Sequence, residues 1–280
     1  MLFLSNEVKG VCIVQYMLGD EWTIESAGGA TGEAYFAQSE NKRLFLKRNS
    51  SPFLAVLSAQ GIVPKLVWTK RLENGDVITA QEWLDGSELN PEVLQHPKVA
   101  ELLGRIHHST ELLDMLTRMG KKAMDPMELF RELKQMMLSQ STGQTKHLMI
   151  ERAIQFMESH LQQVISVKPV VCHCDLNHNN WLFTDKGELY LIDWDNAEIG
   201  DPAIDLGMLF QRYIPESEWD TWLYHYGVTE DQNLAIRMHW YMLYEAIIDF
   251  HQLQTVEDAI IKEQEINDIL TRAMRLVRER

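Results

Sequence analysis

Apolar and polar residues alternate at a period of two through the first third of the chain, and the period then lengthens to that of a helix. Trp22-Thr23-Ile24-Glu25-Ser26 reads as a strand with one inward face, and Gly28, Gly29 and Gly32 after it read as a loop. Ala34 to Ala37 and Leu44 to Lys47 are the next strands, parted by the polar turn Ser39-Glu40-Asn41-Lys42 to make a meander. Ser51-Pro52 opens a short helix that ends near Gly61: the hydroxyl can cap the first amides, and proline has no donor to waste there. Val67 to Arg71 and Val77 to Gln81 flank Glu73-Asn74-Gly75-Asp76, where Asn-Gly predicts the positive φ angles of a tight hairpin.

After Gly86 the pattern is helical. Val99, Leu102, Leu103 and Ile106 share one helical face, and further helices are predicted from Asp125-Pro126 and from about Lys146 to Ile165. One interruption stands between Lys168 and Ala197, where Pro169-Val170-Val171 and Leu189-Tyr190-Leu191-Ile192 are β-like and flank a polar loop and the turn Asp185-Lys186-Gly187-Glu188. Helices resume beyond Pro202. The expected class is α+β: an antiparallel-sheet part over residues 1–84, the linker Leu84-Asp85-Gly86, and a larger, mostly helical part over residues 85–280.

Composition narrows the function. The 280 residues are 45% hydrophobic, enough for one large core or two modest ones. With 26 basic and 41 acidic residues the net charge is -15, which repels phosphate backbones; no nucleic-acid partner is expected, and a cationic or neutral substrate fits better. Cys12, Cys172 and Cys174 are too few and too clustered for a disulfide framework, which points to a reducing, cytoplasmic setting. Asn6, Glu7 and Lys9 break the apolar start of the chain, so no signal peptide is expected, and no apolar run reaches the ~18 residues of a membrane span.

The chemistry concentrates in His173-Cys174-Asp175-Leu176-Asn177-His178-Asn179-Asn180 and in Ile192-Asp193-Trp194. An aspartate and an asparagine on one tight loop, with a second aspartate at the end of a nearby strand, suit phosphoryl transfer. Asn180 and Asp193 offer the hard oxygens magnesium prefers, and Asp175 remains to orient and deprotonate an attacking hydroxyl. His-x-Asp-x-x-x-x-Asn followed by that aspartate, and then by Gly200-Asp201-Pro202-Ala203-Ile204-Asp205-Leu206, resembles the aminoglycoside phosphotransferase and choline kinase family. The resemblance is strong over Val170 to Phe210 and partial over Trp22 to Gly86.

That resemblance implies a protein-kinase-like fold and transfer of the γ-phosphoryl group of ATP, with Mg2+, to a hydroxyl of a small molecule. It implies that Asp205 and His173 support the loop, that Gly28, Gly29, Gly32 and Lys47 position the phosphates, and that Glu82, Trp83 and Leu84 form the hinge meeting adenine. Trp194, Asp195 and Glu198, just after the metal aspartate, are candidates for substrate contact. One departure stands out: residues 52–60 hold no Asp or Glu to pair with Lys47, which leaves Gln60, a carboxylate from elsewhere, or the phosphates themselves.

Other readings compete. A pseudokinase would explain the missing acidic partner but not the retention of Asp175, Asn180 and Asp193. A protein kinase lacks support, since Asp-Phe-Gly and Ala-Pro-Glu are absent. Zinc on Cys172, His173, Cys174 and His178 lacks a second cysteine pair at ligand spacing. His107 and His108 end their helix in a structural role, through a buried hydrogen bond or charge at the helix terminus. Trp240, Tyr241, Tyr244, Glu245 and Asp249 could surround a cation, but large aromatics at helical spacing more often pack in a core. An amino-alcohol, choline-like or thiamine-like, is favoured over a sugar or aminoglycoside, and oligomeric state is left open.

Overall fold

The computed structural model describes residues 11, 14–28, 33–84, 86–87, 90–139, 148–228, 231, 233–253 and 255–278. The chain divides into two compact units, Met1–Leu89 with Trp181–Asp195, and Asn90–Asn180 with Asn196–Arg280.

The first unit is built on an antiparallel sheet of β1 (Thr23–Gly28), β2 (Ala34–Gln38), β3 (Arg43–Arg48), β4 (Leu66–Arg71) and β5 (Val77–Glu82), in the order β1-β2-β3-β5-β4. The period-two pattern has its expected cause: Tyr35, Ala37, Leu44, Leu46, Ile78 and Ala80 point to one face and are buried with Val14. Burying one such side chain as Leu46 stabilises by about 1.5–3 kcal/mol. In the turn between β4 and β5, Gly75 has φ 92° but Asn74 is not left-handed. The tight turn forms, but the positive φ expected at both residues of Asn-Gly is found at Gly75 alone. Asn74 instead accepts the Asp76 N–H at 3.1 Å, and Leu72 N–H closes the turn on the Asp76 carbonyl at 2.7 Å.

Helix α1 (Phe53–Ala59) starts as predicted, with the Ser51 hydroxyl accepting the Phe53 N–H at 3.2 Å. A second sheet joins β6 (Gly86–Ser87), β8 (Trp181–Thr184) and β9 (Leu189–Leu191), and the Leu191 N–H donates to the Ile62 carbonyl at 2.9 Å. Segment 181–195 therefore belongs with the first unit although its sequence position lies among the helices.

The second unit carries α2 (Pro97–His108), α3 (Thr110–Arg118), α4 (Pro126–Ser139), α5 (Leu148–Ile165), α6 (Ala203–Arg212), α7 (Trp219–Tyr226), α8 (Leu234–Gln252) and α9 (Val256–Arg278). A short ribbon pairs β7 (Val170–Cys172) antiparallel with β10 (Glu198–Gly200). Val99, Leu102, Leu103 and Ile106 are all buried, so the inward face of α2 is the predicted one. Gly104 on the same helix is required by close packing, since a Cβ there would collide with the Tyr226 carbonyl oxygen of α7. The aromatic helix α8 is core: Trp240 is fully buried with its Nε1 donating to the Met157 carbonyl at 2.9 Å, Tyr241 is buried, and Tyr244 stacks on Trp240. Asp201 fixes the start of α6 by accepting the Ala203 N–H at 2.9 Å and Arg237 Nε at 2.8 Å. Among the described residues no helix is long and apolar enough to cross a membrane.

Candidate active site

The loop after β7 is held from beneath by one buried carboxylate. Asp205, in the first turn of α6 and fully buried, accepts the backbone N–H of His173 at 2.7 Å and of Cys174 at 2.9 Å. Its Oδ2 also lies 3.0 Å from His107 Nε2, and His107 Nδ1 lies 2.7 Å from the Tyr226 hydroxyl. Burial alone would raise the Asp205 pKa, but the His107 hydrogen bond, the nearby imidazoles and the backbone donor together hold it below the ordinary carboxylate value. Burial pushes the Tyr226 phenol up, so it keeps its proton, and since an ionised Asp205 can only accept, Nε2 is the donor to it.

With its amide fixed, Cys174 takes φ 61°, a left-handed backbone that a side chain adopts only when its surroundings impose it. Leu176 is buried, with its N–H on Met208 Sδ at 3.1 Å, and the His178 N–H reaches the Tyr213 hydroxyl at 3.3 Å. Asp175 stands between these anchors, half-buried, and its carboxylate has no hydrogen-bond partner among the described residues. Asn180 donates its Nδ2 to the Asp175 carbonyl at 2.8 Å, which commits the nitrogen and leaves Oδ1 without a hydrogen-bond partner among the described residues. The helical unit thus brings His173, Asp175, Asn180 and Asp205 into one assembly. Glu198, expected near a substrate, lies on β10 in the same unit and pairs with Lys121.

The sheet-bearing unit holds the second group. Lys47, near the end of β3, places Nζ 2.7 Å from Asp195 Oδ2 and 3.3 Å from Asp193 Oδ1. Burial would lower its pKa, but the Asp195 hydrogen bond and both carboxylate charges outweigh that and raise it, so the ammonium is charged. Asp193 is also left-handed, at φ 63°, and exposed. Trp194 departs from expectation. It is 8% exposed, its Nε1 donates to the Leu191 carbonyl at 2.7 Å and its ring meets Phe53 edge-on, so it serves packing and leaves no face for a substrate. Asp195 also has another partner than the expected substrate, namely Lys47.

Gly28 ends β1 at a bulge and pairs with Ala34, while Gly29 and Gly32 lie outside the described residues. At the expected hinge, the Glu82 N–H bonds the Lys65 carbonyl at 2.9 Å and the Trp83 N–H the Arg43 carbonyl at 3.3 Å. The Trp83 ring lies against Phe36 with centroids 3.9 Å apart, and Leu84 is half-buried.

Among the described residues the group of potential metal ligands that comes together is not the Cys172, His173, Cys174 and His178 set of the zinc reading. His107, Cys172 and Asp205 bring ligand atoms within 4.8 Å of one another, but both His107 nitrogens are engaged and burial holds the Cys172 thiol protonated. A cavity of about 250 Å3 in the helical unit is lined by His107, His108, Lys168 and Tyr226 and does not include Asp175 or Asn180. Sequence reasoning missed Tyr213, Met208 and Tyr226. For His107 there was a signal: four residues after Leu103, it falls on the buried face of α2.

Residues 23–240 match the phosphotransferase enzyme family. Ethanolamine kinase 2 of Rattus norvegicus is 30% identical over 174 residues, covering 59% of this chain and 42% of that protein. The chain therefore spans less than half the length of that curated relative. The crystal structure of choline kinase LicA from Streptococcus pneumoniae superimposes with a TM-score of 0.63 at 20% identity, covering 95% of this chain and 98% of that one. Spectinomycin phosphotransferase APH(9)-Ia, in complex with ADP and spectinomycin, gives 0.61 at 16% identity, covering 91% and 92%. The fold is shared with these protein-kinase-like phosphotransferases.

Proposed function

Since the chain belongs to the phosphotransferase enzyme family, we propose that it transfers the γ-phosphoryl group of ATP to the hydroxyl of a small amino-alcohol of the ethanolamine or choline type. The observation that carries this reading is the carboxylate of Asp175, without a hydrogen-bond partner among the described residues, on a loop whose backbone Asp205 clamps at His173 and Cys174. A base needs that combination: fixed position and an unshared oxygen.

Asp175 orients the acceptor hydroxyl and takes its proton as the new P–O bond forms. Asn180 Oδ1 and the exposed Asp193 carboxylate are hard oxygen donors that fit Mg2+, and both would hold it. Bound there, the ion would offset charge on the nucleotide phosphates. Lys47 neutralises phosphate charge from the sheet-bearing part, residues 1–84, together with the glycine segment at Gly28, Gly29 and Gly32, and the backbone of Glu82, Trp83 and Leu84 meets adenine. Residues 85–280 supply the base and the acceptor site, with Glu198 near it. The few, clustered cysteines support a reducing, cytoplasmic setting for the activity.

The amino-alcohol choice is supported by the net charge of -15 and by the ethanolamine kinase and choline kinase likenesses. The pseudokinase alternative loses its main ground, because Lys47 does have carboxylate partners, Asp195 and Asp193. A coupled ADP-release assay should detect turnover with ethanolamine or choline above that with thiamine, methylthioribose, spectinomycin or simple sugars. A preference for a sugar would move the substrate class, and ATP bound with no turnover on any acceptor would restore the alternative.

A further inference from the structure

Helix α1 reads Phe-Leu-Ala-Val-Leu-Ser-Ala and offers Lys47 no carboxylate. Resting on the kinase reading above, we infer that Asp195 fills that place and is the positioning residue for the phosphate-binding lysine.

Of the two carboxylates on Lys47, Asp195 is the nearer, at 2.7 Å against 3.3 Å for Asp193. Both sit at one short turn, with Trp194 between them. That turn is fixed by its indole, which is buried, bonds the Leu191 carbonyl at 2.7 Å and packs edge-on against Phe53 with ring centroids 5.7 Å apart. Helix α1 therefore still governs the lysine, through packing: Phe53 backs Trp194, and Trp194 sets the turn that presents Asp195. An ion pair between helix and strand is replaced by an apolar contact and an ion pair between turn and strand.

The division of labour between the carboxylates follows from charge. Lys47 and a divalent cation both compete for Asp193. With Asp195 in place, the ammonium keeps a partner when Asp193 turns to metal, so lysine and metal need not exclude each other. Without it, Asp193 is the remaining carboxylate on Lys47 among the described residues, and the lysine is drawn onto the metal ligand and away from the phosphates. The pair is too exposed, at 26% and 62% of the two side chains, to matter much for folding. Its effect lies in placement.

The test uses the full chain as wild type, Asp195→Asn and Asp195→Glu, with calorimetric titration of ATP with and without Mg2+ and thermal melts. Asp195→Asn should weaken ATP binding about tenfold in metal-free buffer, as expected for a lost charge-assisted contact that orders a cationic ligand. It should also raise the Mg2+ concentration needed for half-maximal binding of the complex, and leave the melting midpoint unchanged. Asp195→Glu should recover most of the affinity. Equal ATP affinity and equal Mg2+ demand in Asp195→Asn would overturn the inference while leaving the kinase reading intact. So would a loss of affinity that tracks a lowered melting midpoint, because Asp195 would then support the fold and not the lysine. A wild-type chain that binds no ATP would remove the kinase reading, and this inference with it.

Discussion

The loop around Asp175 and the cluster around Lys47 both depend on carboxylates, yet they are held in opposite ways. Asp205 and His107 are 0% and 1% exposed, and their hydrogen bonds form where water cannot compete. The Asp193 and Asp195 side chains are 52% and 62% exposed, and their pairs with Lys47 are bathed in solvent. A buried, fully partnered carboxylate is costly to disturb and suits a part that must not move. Exposed pairs contribute about 0–1 kcal/mol each and exchange partners readily, which suits the proposed reading in which these side chains release each other for phosphates and metal. The contrast separates a fixed component from an exchangeable one.

The largest effect should come from removing chemistry without touching the frame. Asp175→Asn keeps the shape and the loop but loses the proposed base, and should lower kcat by about a thousandfold or more with an unchanged melting midpoint. Undiminished turnover would remove Asp175 from its role. Next is the frame itself. Asp205→Ala leaves two amide donors and an imidazole without their acceptor, and should cost about 3–5 kcal/mol in denaturant unfolding. The pH dependence has a definite sign. Since the folded-state pKa of Asp205 is depressed below 3.8, its contribution is fully present above that value and is lost only as pH falls through the lower folded pKa. If Asp205→Ala melts like wild type, the buried brace is no more rigid than the exposed pairs, and the comparison fails.

How far the sequence reveals these parts depends on distance along the chain. The strands of the first unit and the inward face of α2 were readable because period and burial are local properties, and the roles of Asp205 and Asp175 were implied by a run of closely spaced motifs. The partners of Lys47 were not, because they lie 146 and 148 positions away and no local rule connects them. Strands β6, β8 and β10 are too short to express a period, and one residue sequence reasoning assigned to substrate, Trp194, points inward because the chain turns immediately after Asp193. The Asn74-Gly75 turn shows a subtler limit. The pair predicts a tight turn correctly, but whether asparagine adopts a positive φ or accepts a hydrogen bond from the backbone depends on strand ends that the dipeptide does not specify.

Glu245 offers a finer test, as a largely buried carboxylate with no hydrogen-bond partner among the described residues. Burial foremost, and Asp249 and Asp205 beside it, raise its pKa to about 7 despite the opposing charges of Arg212 and Lys262. The linkage is the reverse of that for Asp205. Between the unfolded value of 4.5 and about 7 the folded chain binds more protons than the unfolded one, so stability falls as pH rises across that window. Glu245→Gln should flatten the decline and gain about 1–2 kcal/mol at pH 8 in denaturant unfolding. A variant with the same pH slope as wild type would show that burial without partners does not distinguish Glu245 from Asp205.

The smallest effect should come from the exchangeable side. Lys47→Met removes both ion pairs and leaves Asp193 and Asp195 as neighbouring anions, yet each is more than half exposed and screened by water and salt. Unfolding free energy should therefore change by less than about 1 kcal/mol, and raising NaCl from low to physiological levels should reduce even that difference. ATP affinity should fall in the same variant, since on the proposed reading the lysine serves the ligand and not the fold. A loss of stability as large as that of Asp205→Ala would mean that the Lys47 cluster is also part of the frame. Partner exchange on phosphate binding would then have to break structure instead of trading one set of exposed charges for another.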